Sequence, residues 1–193
     1  MPSVLVTGAT RGIGRTTAKR LAAAGWDVYA GARTEAAGEE LRAERITPVI
    51  VDVTDEAQVA ALPAALPERL DGLVNNAGIA VGGPVEAVPI AELRHQLEVN
   101  IVGPAAVTQA LMPNLRAARG RIVFVSSVSG RVATPMTGPY NASKFGLEGL
   151  ADAMRMELAP WGMRVVIVEP AQTDTDMWRK AEDVLEETVA NVS

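Results

Sequence analysis

Thr7-Gly8-Ala9-Thr10-Arg11-Gly12-Ile13-Gly14 is the stretch on which the reading of this chain turns. The apolar run Val4-Leu5-Val6 precedes it, and residues 13–24 follow with helical character. A strand, a glycine-rich turn and a helix in succession aim backbone N–H groups and a helix N-terminus at a phosphate. Gly8 suits the sharp turn off the strand, Gly12 lets a pyrophosphate approach the backbone, and Gly14 lets the helix pack close to the sheet. The spacing Gly-x-x-x-Gly-x-Gly differs from the Gly-x-Gly-x-x-Gly dinucleotide fingerprint. A glycine-rich turn also serves plain chain reversal, so the surrounding pattern decides.

Outward from that turn, β-like and α-like segments alternate without a repeat or a low-complexity linker. Further strands are predicted at Asp27–Ala32, 47–51, 70–74, Arg121–Val125 and 163–169. Helices are predicted at 35–45, at 55–62 with Thr54 as N-cap, and at 89–118, 140–159 and 176–189. Continuous apolar runs such as Val165-Val166-Ile167-Val168 suit strands buried on both faces. The pattern predicts one α/β domain over residues 1–193. It is a doubly wound parallel sheet in strand order 3-2-1-4-5-6, a three-layer αβα Rossmann fold. Pro104 lacks an N–H, so the long helix is expected to kink near Asn100. The freed carbonyl would turn to a water within reach of Lys144.

Composition narrows the function classes. The chain has 193 residues, 48% hydrophobic and 21% charged, as a globular domain does. A net charge of −5 argues against nucleic-acid binding. The absence of cysteine excludes disulfides and thiolate metal sites. No apolar run is long enough to span a membrane and no signal-like segment opens the chain, so a reducing, cytoplasmic setting is expected. No metal is expected: Glu182, Asp183, Glu186 and Glu187 read as the solvated face of an amphipathic helix. His95, between Arg94 and Gln96, reads as solvated too.

In such a sheet, ligands gather at the carboxyl ends of the strands. The residues there are Thr7 to Gly14, Ala32-Arg33, Asp52-Val53, Asn75 to Gly78, Ser126-Ser127 and Glu169 to Thr175. An acidic residue at the end of the second strand would hydrogen-bond the ribose 2′-hydroxyl of NAD, whereas arginine suits the 2′-phosphate of NADP. Here Arg33 stands at that end and Arg11 lies in the glycine turn, which favours NADP(H) over two solvated surface charges.

Tyr140 and Lys144 are four residues apart on a predicted helix, so phenol and ammonium share a face. Lowering a tyrosine pKa from about 10 by about three units takes roughly 4 kcal/mol. A lysine about 5 Å away supplies on the order of 3 kcal/mol at an effective dielectric near 20. Burial opposes the shift, and the charge of an oxidised nicotinamide would assist it. Tyr-x-x-x-Lys also arises by chance in helices. Ser127, at the end of the fifth strand, adds a hydroxyl that could hold a carbonyl or alkoxide oxygen. Ser126 is expected to pack or bond the backbone.

In order and spacing, Thr7-Gly8-x-x-x-Gly12-x-Gly14, Asn75-Asn76-Ala77-Gly78, Asn100, Ser127 and Tyr140-x-x-x-Lys144 resemble the motifs of the short-chain dehydrogenase/reductase family. The resemblance runs from Val4 to about Thr175 and implies a catalytic tetrad of Asn100, Ser127, Tyr140 and Lys144. It also implies that Asp52 and Val53 flank the adenine, Lys144 binds the nicotinamide ribose and Thr175 binds the carboxamide. With the residues at the strand ends, the expected cofactor-binding set is Gly8, Thr10, Arg11, Gly12, Ile13, Gly14, Arg33, Asp52, Val53, Asn76, Ala77, Gly78, Tyr140, Lys144, Pro170, Thr173 and Thr175. Pro139 to Phe145 together with Pro160-Trp161-Gly162 resembles members acting on apolar alcohols, such as retinoid and steroid dehydrogenases.

Two departures stand out. The family usually has Pro-Gly after the sixth strand, where this chain has Pro170-Ala171. Members usually continue into a seventh strand, which is apparently missing from a sequence ending at Ser193. Residues 165–168 would then form an exposed apolar edge, so either more chain follows or a partner covers it. The helices at 89–118 and 140–159 would form the interface of a homodimer or homotetramer, as in the family.

The expected activity is NADP(H)-dependent hydride transfer to or from a small apolar carbonyl or secondary alcohol. Val81, Val132, Met136, Met177 and Trp178 would line the pocket, although any of them could be core. A rival from another class is a dinucleotide-binding regulator that senses redox state without turnover. The Tyr140–Lys144 pair argues against it, and the missing strand for it.

Overall fold

The computed structural model describes residues 1–171. Six strands form one sheet: β1 (Ser3–Val6), β2 (Asp27–Ala32), β3 (Ile46–Ile50), β4 (Gly72–Asn75), β5 (Arg121–Val125) and β6 (Arg164–Val168). Their order is β3-β2-β1-β4-β5-β6, and every pairing is parallel. β1 lies inside the sheet, with Leu5 beside Tyr29 of β2 and Leu73 of β4. All four of its residues are buried, which is why Val4-Leu5-Val6 shows no polar alternation.

The helices are α1 (Gly12–Ala23), α2 (Glu35–Glu39), α3 (Glu56–Ala65), α4 (Ile90–Leu97), α5 (Gly103–Ala110), α6 (Met112–Ala118) and α7 (Gly138–Leu158). Strand side chains alternate between two cores, as the pleat requires. Leu5, Leu73, Ile122 and Phe124 meet Leu62, Val107, Leu115 and Leu147 from α3, α5, α6 and α7. Val4, Val6, Val28 and Val74 pack with Ala18 of α1 and Leu41 in the second core. The layers are αβα, as the alternating pattern predicts.

Local chemistry moves several boundaries. Asp55, not Thr54, caps α3: its Oδ1 accepts the N–H groups of Ala57 and Gln58, both at 3.0 Å. Thr54 instead donates its N–H and hydroxyl to Asp52 Oδ1 at 3.0 and 2.8 Å. The long helix predicted over 89–118 is interrupted. A π-helical turn, Glu98–Val102, joins α4 to α5, and Gly103 donates to the Glu98 carbonyl five residues back. Pro104 then sits in the first turn of α5, where its missing N–H does no harm. The expected departure from a straight helix thus takes the form of a π turn. β6 ends the described sheet: Val165 is buried, while Val166 and Val168 are exposed. The helix expected at 176–189, with its acidic face, lies outside the described residues.

Candidate active site

Because all six strands run in parallel, their carboxyl ends lie along one side, and a cleft of about 390 Å³ crosses it. That is the size of a small-molecule site. Gly8, Thr10, Arg11, Gly12, Ile13, Arg33, Asp52, Val53, Asn76, Ala77, Gly78, Ser127, Tyr140, Lys144 and Pro170 all line it. Of the expected site residues, Asn100 and Gly14 stand outside the lining. Thr173 and Thr175 lie outside the described residues.

The glycine turn is built to come close to its neighbours. Gly8 has φ +61°, and a β-carbon there would meet Ala77 Cα at 2.9 Å. Gly12 also lies in the left-handed region, with φ +53°. Gly14 takes the close-packing role its place in the motif predicts. A β-carbon on it would sit 2.4 Å from both Asn76 Nδ2 and the Gly8 carbonyl, so it packs the helix onto the turn and does not face the cleft. Asn76 locks the turn by donating Nδ2 to the carbonyls of Thr7 and Gly8 at 3.0 and 3.1 Å. Thr7 Oγ1 accepts the N–H groups of Asn76 and Ala77, both at 3.0 Å. No side chain caps α1, so its first N–H groups remain open at the cleft wall formed by Gly12 and Ile13.

At the β2–β3 end, Arg33 and Asp52 face the same space. Burial pushes the Asp52 carboxyl up, but the Thr54 hydrogen bonds outweigh it. With smaller electrostatic help from Arg33 and His95, they hold Asp52 below the usual aspartate range. His95 is exposed, as its sequence context predicts, and it also borders the cleft. It lies one helical turn before Val99, and both side chains line the cleft. The helical spacing of those two residues was the available signal.

At the other end, three groups converge from β5 and α7. Lys144 is buried and donates Nζ to the Val125 carbonyl at 2.8 Å. Its ammonium stands 5.6 Å from the centre of the Tyr140 ring. Ser127 accepts the N–H of Ser129 at 3.1 Å and hydrogen-bonds the Tyr140 hydroxyl. Burial raises the Tyr140 pKa above the ordinary phenol value, and the Ser127 bond only partly offsets it. Burial pulls Lys144 the other way, down to about 8.

The Asn100 side chain is committed elsewhere. Its Oδ1 accepts the Ile79 N–H at 3.0 Å, and Nδ2 donates to the Ile79 carbonyl and to Ser143 Oγ, each at 3.0 Å. It therefore clamps the wall beside Gly78. Gln96, fully buried and not singled out by the sequence, completes that clamp. It donates to the Ile79 carbonyl at 2.8 Å and accepts the Val81 N–H at 2.6 Å. Val81 is thereby drawn into the core instead of the pocket.

Val132 and Met136 are exposed on the loop between β5 and α7, away from the lining, while Met177 and Trp178 lie outside the described residues. Asn141, next to Tyr140, orders that loop. Nδ2 donates to the carbonyls of Ser129 and Val132 at 2.9 and 3.0 Å. Oδ1 accepts from the Thr137 hydroxyl at 2.7 Å and the Thr134 N–H at 3.3 Å. Met136 adopts φ +68°, and its carbonyl accepts the Gly83 N–H at 2.8 Å.

A parallel sheet in this order, with a glycine-rich turn opening a helix into a cleft at the strand ends, defines the dinucleotide-binding class of α/β protein. Within that class the chain belongs to the short-chain dehydrogenase family, whose sequence pattern matches residues 2–185. Mouse retinol dehydrogenase 5 is 40% identical over 176 residues, which cover 86% of this chain and 55% of the mouse protein. The chain thus spans about half the length of that relative. A short-chain dehydrogenase from Burkholderia cenocepacia in complex with NADP is 32% identical, with a TM-score of 0.87 over 99% of this chain and 84% of the other. The 3-ketoacyl-(acyl-carrier-protein) reductase of Brucella melitensis, complexed with NADH, is 31% identical, with a TM-score of 0.87 over 94% and 81%. Among the described residues, no helix is long and apolar enough to cross a membrane.

Proposed function

We propose that the cleft is the site of an NADP(H)-dependent oxidoreductase that moves a hydride between the nicotinamide and a small apolar carbonyl or secondary alcohol. One observation carries the reading: the Ser127 hydroxyl, the Tyr140 phenol and the Lys144 ammonium meet at one end of a cleft whose other end carries arginines. The bound cofactor supplies the hydride or accepts it. Ser127 orients the substrate oxygen, Tyr140 exchanges its proton, and Lys144 stabilises the charge that develops on the phenol. Burial keeps the Tyr140 proton in place, so the resting site is set to protonate an alkoxide, the direction of carbonyl reduction. Asn100 acts by position, since its side chain is spent on Ile79 and Ser143; its main-chain carbonyl is the group left for proton exchange.

The residues fit a dinucleotide. The left-handed Gly8 and Gly12, the open N-terminus of α1, Thr10 and Ile13 would hold the pyrophosphate. Asp52 and Val53 would flank the adenine, and Asn76, Ala77 and Gly78 the middle of the cofactor. Tyr140 and Lys144 would meet the nicotinamide ribose, with Pro170 beyond it. Gly14 would support the turn from behind, against Asn76 and Gly8. Solved relatives carry either NADP or NADH, so the cofactor preference rests on this chain's own charges. Arg11 and Arg33 both line the cleft, and Thr34 after Arg33 offers no acid to a ribose hydroxyl. Arg33→Asp is therefore expected to reverse a preference for NADPH over NADH. Fluorescence titration with both cofactors checks this, and equal affinities in the parent protein would contradict it.

The same reading puts a dimer interface on α7 and on the run from α4 through the π turn to α6, where Phe145 of α7 and Val102 of the π turn are each 47% exposed. Light scattering is expected to give at least twice the chain mass of 20.3 kDa, and a stable monomer would contradict the interface.

A further inference from the structure

Behind Lys144, α7 carries a second buried charge. Glu148 lies one helical turn further on and is only 5% exposed. No described residue donates a hydrogen bond to either of its carboxylate oxygens. Among the described residues its ion-pair partner is Arg131, with Nη2 3.1 Å from Oε2. That arginine is half exposed and shared, donating Nε and Nη2 to Glu169 Oε1 at 3.1 and 2.9 Å. On the other side Glu148 reaches the turn after β5. A β-carbon on Gly130 would lie 3.0 Å from Glu148 Oε1 and 2.9 Å from Ser126 Oγ. Ser126 directly follows Val125, whose carbonyl receives Lys144 Nζ. Carboxylate and ammonium are thus both buried, on one face of one helix and against one turn.

Burying either charge alone is costly, and a shared surface arginine compensates a buried carboxylate poorly. Each buried charge offsets the burial of the other. The remaining charged and titratable groups around them are Tyr140 and Asp152 on α7, Arg131 after the turn and Glu169 after β6. Asp152 is paired with Arg155 and Glu169 with Arg131, so neither competes for Lys144.

We propose that Glu148 is a positioning residue for Lys144: its buried carboxylate, packed against the Gly130 turn one helical turn behind the lysine and only partly neutralised by Arg131, favours the charged ammonium that donates to the Val125 carbonyl beside Tyr140. The functional meaning rests on the oxidoreductase reading of Lys144, whereas the charge coupling does not. The electrostatic balance agrees, because burial lowers the Lys144 pKa and Glu148 acts against that.

The chain has three lysines, Lys19, Lys144 and Lys180, so side-chain NMR can follow Lys144 once Lys144→Ala has assigned its signal. The titration reads the ammonium without turnover. Glu148→Gln is expected to lower the Lys144 midpoint by about one unit. Arg131→Met, which strips the counter-charge from Glu148, is expected to raise it. Glu148→Asp should restore most of the parent value, and the basic limb of kcat/KM should move with the midpoint in each variant. A midpoint unchanged or raised in Glu148→Gln overturns the proposal. If that variant does not fold, Arg131→Met decides, and a midpoint unchanged or lowered there overturns it. A parent protein without turnover would refute the oxidoreductase reading and still leave the titration to judge the pair.

Discussion

Tyr140→Phe is expected to bind NADPH within about twofold of the parent and to lose on the order of 10³-fold in turnover, the scale of a lost general acid. The ring is 5% exposed, and phenylalanine keeps its shape and packing. What disappears is one exchangeable proton and the hydroxyl contact with Ser127. Ser127 stays ordered, because its Oγ also accepts the Ser129 N–H at 3.1 Å. The glycine turn is held by Asn76 and Thr7, so the substitution removes only the phenol's own contact with the nicotinamide ribose, and cofactor affinity should change little. Cofactor fluorescence and steady-state rates on one preparation separate the two quantities. A variant that turns over at the parent rate rules out the assignment of the acid.

Lys144→Ala is expected to damage both, with about 10²-fold lost in turnover and about tenfold in cofactor affinity, the scale of a hydrogen bond from a charged group. The lysine spans the site: Nζ is fixed at 2.8 Å from the Val125 carbonyl and faces the Tyr140 ring at 5.6 Å. Its pKa, lowered to about 8, gives the reaction a pH signature. The charged form exists below that value, so reduction should be level on the acid side and decline as pH rises through about 8. That decline belongs to Lys144 and should vanish from the residual activity of Lys144→Ala. A parent rate that climbs through the same interval would contradict the role of the charge.

The sheet was legible because alternating strand and helix patterns leave few topologies, and the parallel order then collects the strand ends into one cleft. Of the collected ends, Gly8, Thr10 to Ile13, Arg33, Asp52, Asn76 and Ser127 are among the residues that line it. Strand limits were less legible. Leu70 is fully buried although it precedes β4, so an apolar run overstates the strand. Polar residues that serve distant loops could not be read at all. Gln96 and Asn141 bond backbone at Ile79, Val81, Ser129 and Val132, and no periodicity encodes those loop paths.

The most direct test of the account is to follow the absorbance of NADPH when the protein is mixed with a panel of apolar ketones, beside Tyr140→Phe under the same conditions. The account predicts NADPH consumption that depends on the ketone, saturates with it and is absent from the variant. NADPH that binds with no consumption across the panel would contradict it and leave a dinucleotide-binding sensor as the better description.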